Sequence, residues 1–181
     1  LEGEEAQFLQ SIPKNYYAAY YLPLRKLIED RPASINRYTE RIPQHIADFK
    51  TYDLASPKLA RSGLMAQFYE GHFIMLESYD DITKGYPLMK ESVDHIIAGL
   101  SGHEDQLLEV SEYLFKLFEK RSLFPAAEHL SLQMLAQNSC TVAGELERRF
   151  EQYNTMKPGN QAPDIAFTAA AGAARKGLQQ Q

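Results

Sequence analysis

The stretch Glu104-Asp105-Gln106-Leu107-Leu108-Glu109-Val110-Ser111-Glu112-Tyr113-Leu114-Phe115-Lys116-Leu117-Phe118 sets Leu107, Val110, Leu114 and Leu117 three and four residues apart. Phe115 and Phe118 stand beside them and widen the stripe. Side chains at this spacing share one face of an α-helix, whereas a half-buried strand alternates at every second residue. Ahead of the stripe, Ser101 and Glu104 have the spacing of a capping box, whose two side chains cover amides of the first turn. Glu112 and Lys116 lie one turn apart on the opposite, wet face and are placed to pair.

The same period extends in both directions. Met89, Val93, Ile96, Ile97 and Leu100 make the preceding stripe, which stops between Gly99 and Gly102, where glycine suits a left-handed cap. Before it, Ser56-Pro57 reads as an N-cap and first helical residue. One long helix is expected from there, carrying Leu64, Phe68 and Met75 with Met65, Tyr69 and Leu76 alongside. It should end near Ser78, with Asp80-Asp81 and Gly85 marking the turn. Downstream, Pro125 opens a helix with Ala127, Leu130, Met134 and Leu135. A last helix should turn Val142, Leu146, Phe150 and Tyr153 inward and Arg148 and Arg149 outward. The links between these last four helices are only a few residues long, which forces neighbours to lie antiparallel as helical hairpins.

Toward the N-terminus the pattern is less regular. Phe8, Leu9 and Ile12 give a short helix stopped at Pro13. Proline lacks an amide donor and clashes with the preceding turn, so Pro23 suits only a first turn and places the second helix from about Leu22. Ile35, Tyr38, Ile42, Ile46 and Phe49 share a face that Pro43 should kink or break near Ile42. Tyr16, Tyr17, Tyr20 and Tyr21 read first as half-buried packing and second as the wall of a ligand groove, since Tyr offers a flat face and a hydroxyl.

These stripes define an all-α protein of about seven helices, in a bundle or stack of antiparallel helical hairpins. The helical domain covers residues 1–156, and an irregular C-terminal linker, residues 157–181, is rich in Ala, Gly and Gln. Its 181 residues suit one domain, and a hydrophobic share of 44% is enough for a full core. With 24 acidic against 19 basic residues, net −5, and no basic stripe, nucleic acid is excluded as an expected partner. No apolar run reaches the ~20 residues of a membrane span. The chain begins at Leu1, as a processed or truncated chain would, so the lack of a signal peptide carries no information.

No catalytic, cofactor-binding or metal residue is assigned. Cys140 is the single cysteine and reads as a buried, inert thiol; its neighbours Asn138, Ser139 and Thr141 supply no cation to activate it. No two of His45, His72, His95, His103 and His129 have the four-residue spacing of a helical zinc site. Neither a Gly-x-Ser-x-Gly elbow nor a Gly-rich phosphate loop occurs. A small hydrolase is therefore only the third reading.

Near the C-terminus, Pro158-Gly159-Asn160-Gln161-Ala162-Pro163-Asp164-Ile165-Ala166-Phe167 resembles the opening segment of the peroxiredoxin and thiol–disulfide oxidoreductase branch of thioredoxin-like proteins. The match is Gly159, Ala162, Pro163 and Asp164, with Ile165 where those domains carry Phe and Phe167 two residues on. The Tyr-rich opening and Leu24-Arg25-Lys26-Leu27-Ile28 look like the helical N-terminal domains placed before such redox domains in bacterial envelope proteins. The resemblance implies a periplasmic or cell-envelope location and a Cys-containing redox domain downstream, severed here after its first residues. It implies a non-catalytic accessory role for the helices, with the thioredoxin-like domain or another envelope protein as partner. It carries over no catalytic residue, and Pro163 and Asp164 would form a turn before a strand. The alternative is a free-standing tetratricopeptide-like peptide-binding module, although the 34-residue self-similarity of such repeats is missing.

Overall fold

The computed structural model describes residues 2–79, 81–136, 148, 150 and 151. Among them the fold is all-α, with eight helices and no strand. These are α1 (Glu2–Ser11), α2 (Ala18–Arg37), α3 (Ile42–Thr51), α4 (Pro57–Ala60), α5 (Met65–Glu77), α6 (Ile82–Gly99), α7 (Glu104–Lys120) and α8 (Phe124–Ala136).

Three helical pairs lie side by side. The α5–α6 and α7–α8 pairs each turn back over a short link, and like helices meet: α5 packs on α7 and α6 on α8. The α2–α3 pair packs onto α5 from the other side, and Lys50 of α3 reaches Glu91 of α6 at 2.5 Å. Stacked hairpins are what the short links demand. The seam is filled by the expected stripes, with Met89, Val93, Ile96, Val110, Leu114, Phe118, Ala127 and Leu130 all buried, and by Phe73, which the stripes did not include. Phe73 meets Phe118 edge to face at 4.7 Å, the arrangement favoured by the ring quadrupoles. Phe150 is fully buried and sits edge-on to Phe115 at 5.0 Å, while Arg148 is exposed, matching the inward and outward faces expected there. Lys116 and Glu112 pair at 2.6 Å on the wet face of α7. The rest of the last helix, Cys140, the linker and the Gly159–Phe167 segment lie outside the described residues.

Several boundaries differ from the sequence reading, each for a local reason. Helix α2 begins at Ala18, not Leu22, so Pro23 and Pro32 both sit inside it. An internal proline costs about 3 kcal/mol; burial of Leu24 and packing of the helix on α5 offset it. The break expected near Ile42 is a 3₁₀ turn over Thr39–Arg41, after which Pro43 occupies the tolerated first turn of α3. The turn swings Tyr38 out of the expected face, 41% exposed, and its ring carries the Arg41 guanidinium at 4.5 Å. The helix opened by Ser56-Pro57 lasts only to Ala60. Ser56 caps it by accepting from the Lys58 amide, as expected, but Gly63 at φ +71° then reverses the chain. The Ser62 hydroxyl, which donates to Leu59 O and accepts from Leu64 N, holds that turn. Gly85 is not in the turn after Ser78 but inside α6, which Asp81 caps through the Thr83 amide at 2.9 Å. A Cβ on Gly85 would lie 2.5 Å from Leu76 O, so glycine there lets α5 and α6 approach. No Ser101–Glu104 capping box forms, because Ser101 closes the end of α6 through Ala98 O and Gly102 at φ +83° redirects the chain. Glu104 is thus the first residue of α7, with His103 at its cap.

Candidate functional site

Among the polar residues buried at core positions, three carry ionisable side chains. Arg31 follows Leu24, Leu27 and Ile28 on α2; His45 lies between Ile42 and Phe49 on α3; His72 lies between Phe68 and Met75 on α5. All three are buried, Arg31 at 1% exposure. Arg31 lies close enough to both imidazoles to act on their charge and sits over the Phe68 ring at 5.1 Å, while Phe49 stacks on Phe68 at 5.0 Å and on the His72 ring at 3.7 Å with an 11° tilt. His95 of α6 meets the edge of the same Phe49 ring at 6.1 Å.

Each buried imidazole has a serine partner. His72 Nε2 lies 2.9 Å from Ser92 Oγ, and His45 Nε2 lies 2.7 Å from Ser34 Oγ. Ser34 Oγ also lies 3.1 Å from Asp30 O, so its one hydroxyl proton serves either that carbonyl or the ring nitrogen, according to the His45 tautomer. Burial, and then the Arg31 cation, holds the His45 pKa below its ordinary value. The same two causes hold His72 well below, with Lys50 and His95 adding to them. Neither pair has the geometry of a nucleophilic dyad. Nδ1 of both rings lacks a carboxylate or any other partner, and Ser34 and Ser92 have essentially no exposure through which a substrate could reach them.

Arg31 is the unusual member. It donates from Nη1 to Phe68 O, while Nε and Nη2 are buried without partners. Burial pulls its guanidinium down to about 10. Gly71 makes room for it, since a Cβ there would lie 3.3 Å from Arg31 Cδ and Nη1.

Beside this seam, a cleft of about 520 Å³ opens between α1, α2, α3 and the turn after α3. Its walls include Tyr20, Tyr52 and His45, and its rim carries Asp30, Asp48 and Asp53. The Tyr-rich opening thus divides between its two readings. Tyr16 and Tyr17 are exposed, and Tyr17 contacts the rings of Tyr20 and Tyr21 at 6.3 and 5.9 Å. Of the four, only Tyr20 lines the cleft, with its hydroxyl pushed up to about 12, chiefly by burial.

Of the remaining two histidines, His129 pairs with Asp94 at 2.7 Å, and His103 stands at the N-cap position of α7 without a side-chain bond to it. Among the described residues no group of three or more His, Cys, Asp or Glu side chains is placed to hold a metal ion. Nor is any helix there long and apolar enough to cross a membrane. Sequence spacing missed the Arg31–His45–His72 convergence, because each residue comes from a different helix. The signal that could have found it is a polar residue at a stripe position. Comparisons with known protein families, with curated proteins and with solved structures found no match.

Proposed function

We propose that the chain is a non-catalytic helical domain of an envelope protein, and that it offers a partner surface to a thioredoxin-like redox domain beginning at Gly159. The observation that carries this reading is the Gly159, Ala162, Pro163, Asp164 and Phe167 pattern. Burial of Phe150 against Phe115 supports it, since that contact anchors the chain to α7 only eight residues before Pro158 and would tether whatever follows. The buried histidines bonded to serines serve packing in this reading, and the hairpins present surface rather than chemistry. The reading frame after Gln181 tests it. A Cys-x-x-Cys pair or a single peroxidatic Cys is expected within about 100 residues, the size of a small domain. A frame that continues that far without either overturns the redox link.

A second reading, a free-standing peptide-binding helical module, is favoured by the side-by-side hairpins and by the cleft between α1, α2 and α3. It predicts saturable binding of an extended peptide by this chain alone.

A further inference from the structure

His72 of α5 is fully buried, and Phe49 of α3 covers its ring at 3.7 Å while meeting the edge of His95 of α6 at 6.1 Å. The groups that act on the charge of His72 are Arg31 from α2, Lys50 from α3 and His95 from α6, and none is a carboxylate. Helix α7 also packs on α5, but its Tyr113 goes to Glu70 and the Arg121 at its end goes to Glu77, and neither acts on His72. Glu91 of α6 pairs with Lys50 at 2.5 Å and acts on His95, not on His72. His45 differs, since Asp48 and Asp30 oppose the charges of Arg31 and Arg41 there. In an imidazolium both ring nitrogens carry protons, so whichever tautomer precedes it, Nδ1–H of a protonated His72 has no acceptor. The protonated ring would be a second buried cation beside Arg31.

Arg31, Lys50 and Phe49 all belong to the α2–α3 pair. The chain leaves α3 through Tyr52 and Asp53 to Leu54, which is buried against Gly99 and whose carbonyl accepts from Gln106 Nε2 at 2.9 Å. From Leu54 onward the chain is thus fastened to the end of α6 and the start of α7. Across the seam the pair is held by polar links such as Arg31 to Phe68 O and Lys50 to Glu91, and by burial of Leu24 and Phe49. We propose that His72 is an acid-sensitive latch: its protonation releases the α2–α3 pair, with α1, from α5 about a hinge at Tyr52 and Asp53, while the α5–α6 and α7–α8 hairpins stay folded. Release takes Arg31 and Lys50 away from the imidazolium and lets water reach both of its N–H groups. Among the described residues α7 and α8 bury no histidine, so acid has no comparable hold on their seam. Burial and the neighbouring cations hold the His72 pKa well below its ordinary value, so the closed form is favoured above about pH 6.5 and loses ground as pH falls. The inference goes beyond both readings of the function and depends on neither.

Amide hydrogen exchange of the 181-residue chain, corrected for the intrinsic rate and followed from about pH 7 to about pH 5, tests this together with NMR of the His72 ring. That window lies above the ordinary carboxylate range of about 3.9–4.3. Below about pH 6.5 the opening constant of the α2 and α3 amides should rise by about tenfold to a hundredfold per pH unit, one factor of ten for each of His72 and His95 that opening frees. The α7 and α8 amides should keep their protection, and the His72 ring should protonate only in step with the opening of α2 and α3. His72→Gln should remove one factor of ten from that opening and leave α7 and α8 unaltered. Loss of protection in all helices together, an α2–α3 opening independent of pH, or an unchanged pH dependence in His72→Gln would overturn the proposal. So would a His72 ring that titrates near pH 6.5 while α2 and α3 stay protected. The exchange and ring measurements on the native chain decide the matter even where His72→Gln does not fold.

Discussion

The α2–α3 pair and the α5–α6 and α7–α8 hairpins are written with the same helical spacing, yet they fill their inward positions differently. At the junction of the two later hairpins, inward positions carry chiefly Phe73, Val93, Leu114, Phe118, Ala127 and Leu130, which ask nothing of their neighbours beyond shape, and the buried Ser111 and Ser131 there donate to Met134 Sδ and Ala127 O. Where α2 and α3 meet α5, the inward positions include Arg31, Ser34, His45 and His72, each of which needs a particular partner atom. Not all of them find one: Arg31 Nε and Nη2 and the Nδ1 atoms of both histidines are left over. An apolar seam derives its stability from area removed from water, while a polar one forfeits stability at every atom left unpaired. The N-terminal seam therefore holds the fold less firmly, and it is also where the open cleft lies.

The largest expected effect tests the apolar half. Phe73→Ala should cost about 3–5 kcal/mol in urea denaturation, because the ring is fully buried against Phe118 and the neighbouring backbone cannot close the cavity. A loss below about 1 kcal/mol would mean that this seam is loosely packed, and would erase the contrast. Next, Arg31→Met removes a buried cation that has a carbonyl but no carboxylate partner, while keeping the stem. Stability should be unchanged or higher by about 1–4 kcal/mol. A loss of about 3–5 kcal/mol, the usual cost of breaking a buried ion pair, would show that the guanidinium is matched by a negative charge.

The histidines sharpen the comparison through pH. Burial depresses the folded-state pKa of His72, His45 and His95, so the neutral form is favoured in the fold. Their contribution is complete above the unfolded pKa of about 6.5 and is lost as pH falls from there toward the folded values. Stability should thus decline between pH 6.5 and 5, by up to about 1.4 kcal/mol per pH unit for each histidine. His72→Gln, which keeps a polar group near Ser92, should flatten that slope by one proton's worth; an unchanged slope would place the titration elsewhere. The smallest effect belongs to the exposed Glu112–Lys116 pair. Lys116→Ala should cost about 0.3–0.5 kcal/mol and less in high salt, and a double-mutant cycle with Glu112→Ala would read the coupling.

How much was legible follows from the same contrast. Stripes such as Leu107–Val110–Leu114–Leu117 could be read because every member is apolar and the signal repeats each turn. The inward face of Phe150 and the Ser56 cap were readable for the same local reason. Boundaries were read less well wherever a local preference met a tertiary one. Pro23 argues against the start of α2 at Ala18 by its own chemistry, but the packing of the whole helix outweighs one lost hydrogen bond. Ser101 has a capping residue's side chain, yet the end of α6 uses its amide first.

The sequence by itself determined the helical class, the positions of most stripes and the short links that fold helices back on one another, because these depend on periods of three and four and on the local chemistry of Ser, Pro and Gly. Only the tertiary structure decided that Arg31 comes near both His45 and His72, that His72 stacks on Phe49, that Gly85 serves a close helix contact, and that Asp30, Asp48 and Asp53 border one cleft with His45. Those are relations between residues on different helices. A hydrogen bond or a buried charge depends on where a partner atom lies in space, and no spacing along one chain segment encodes that distance.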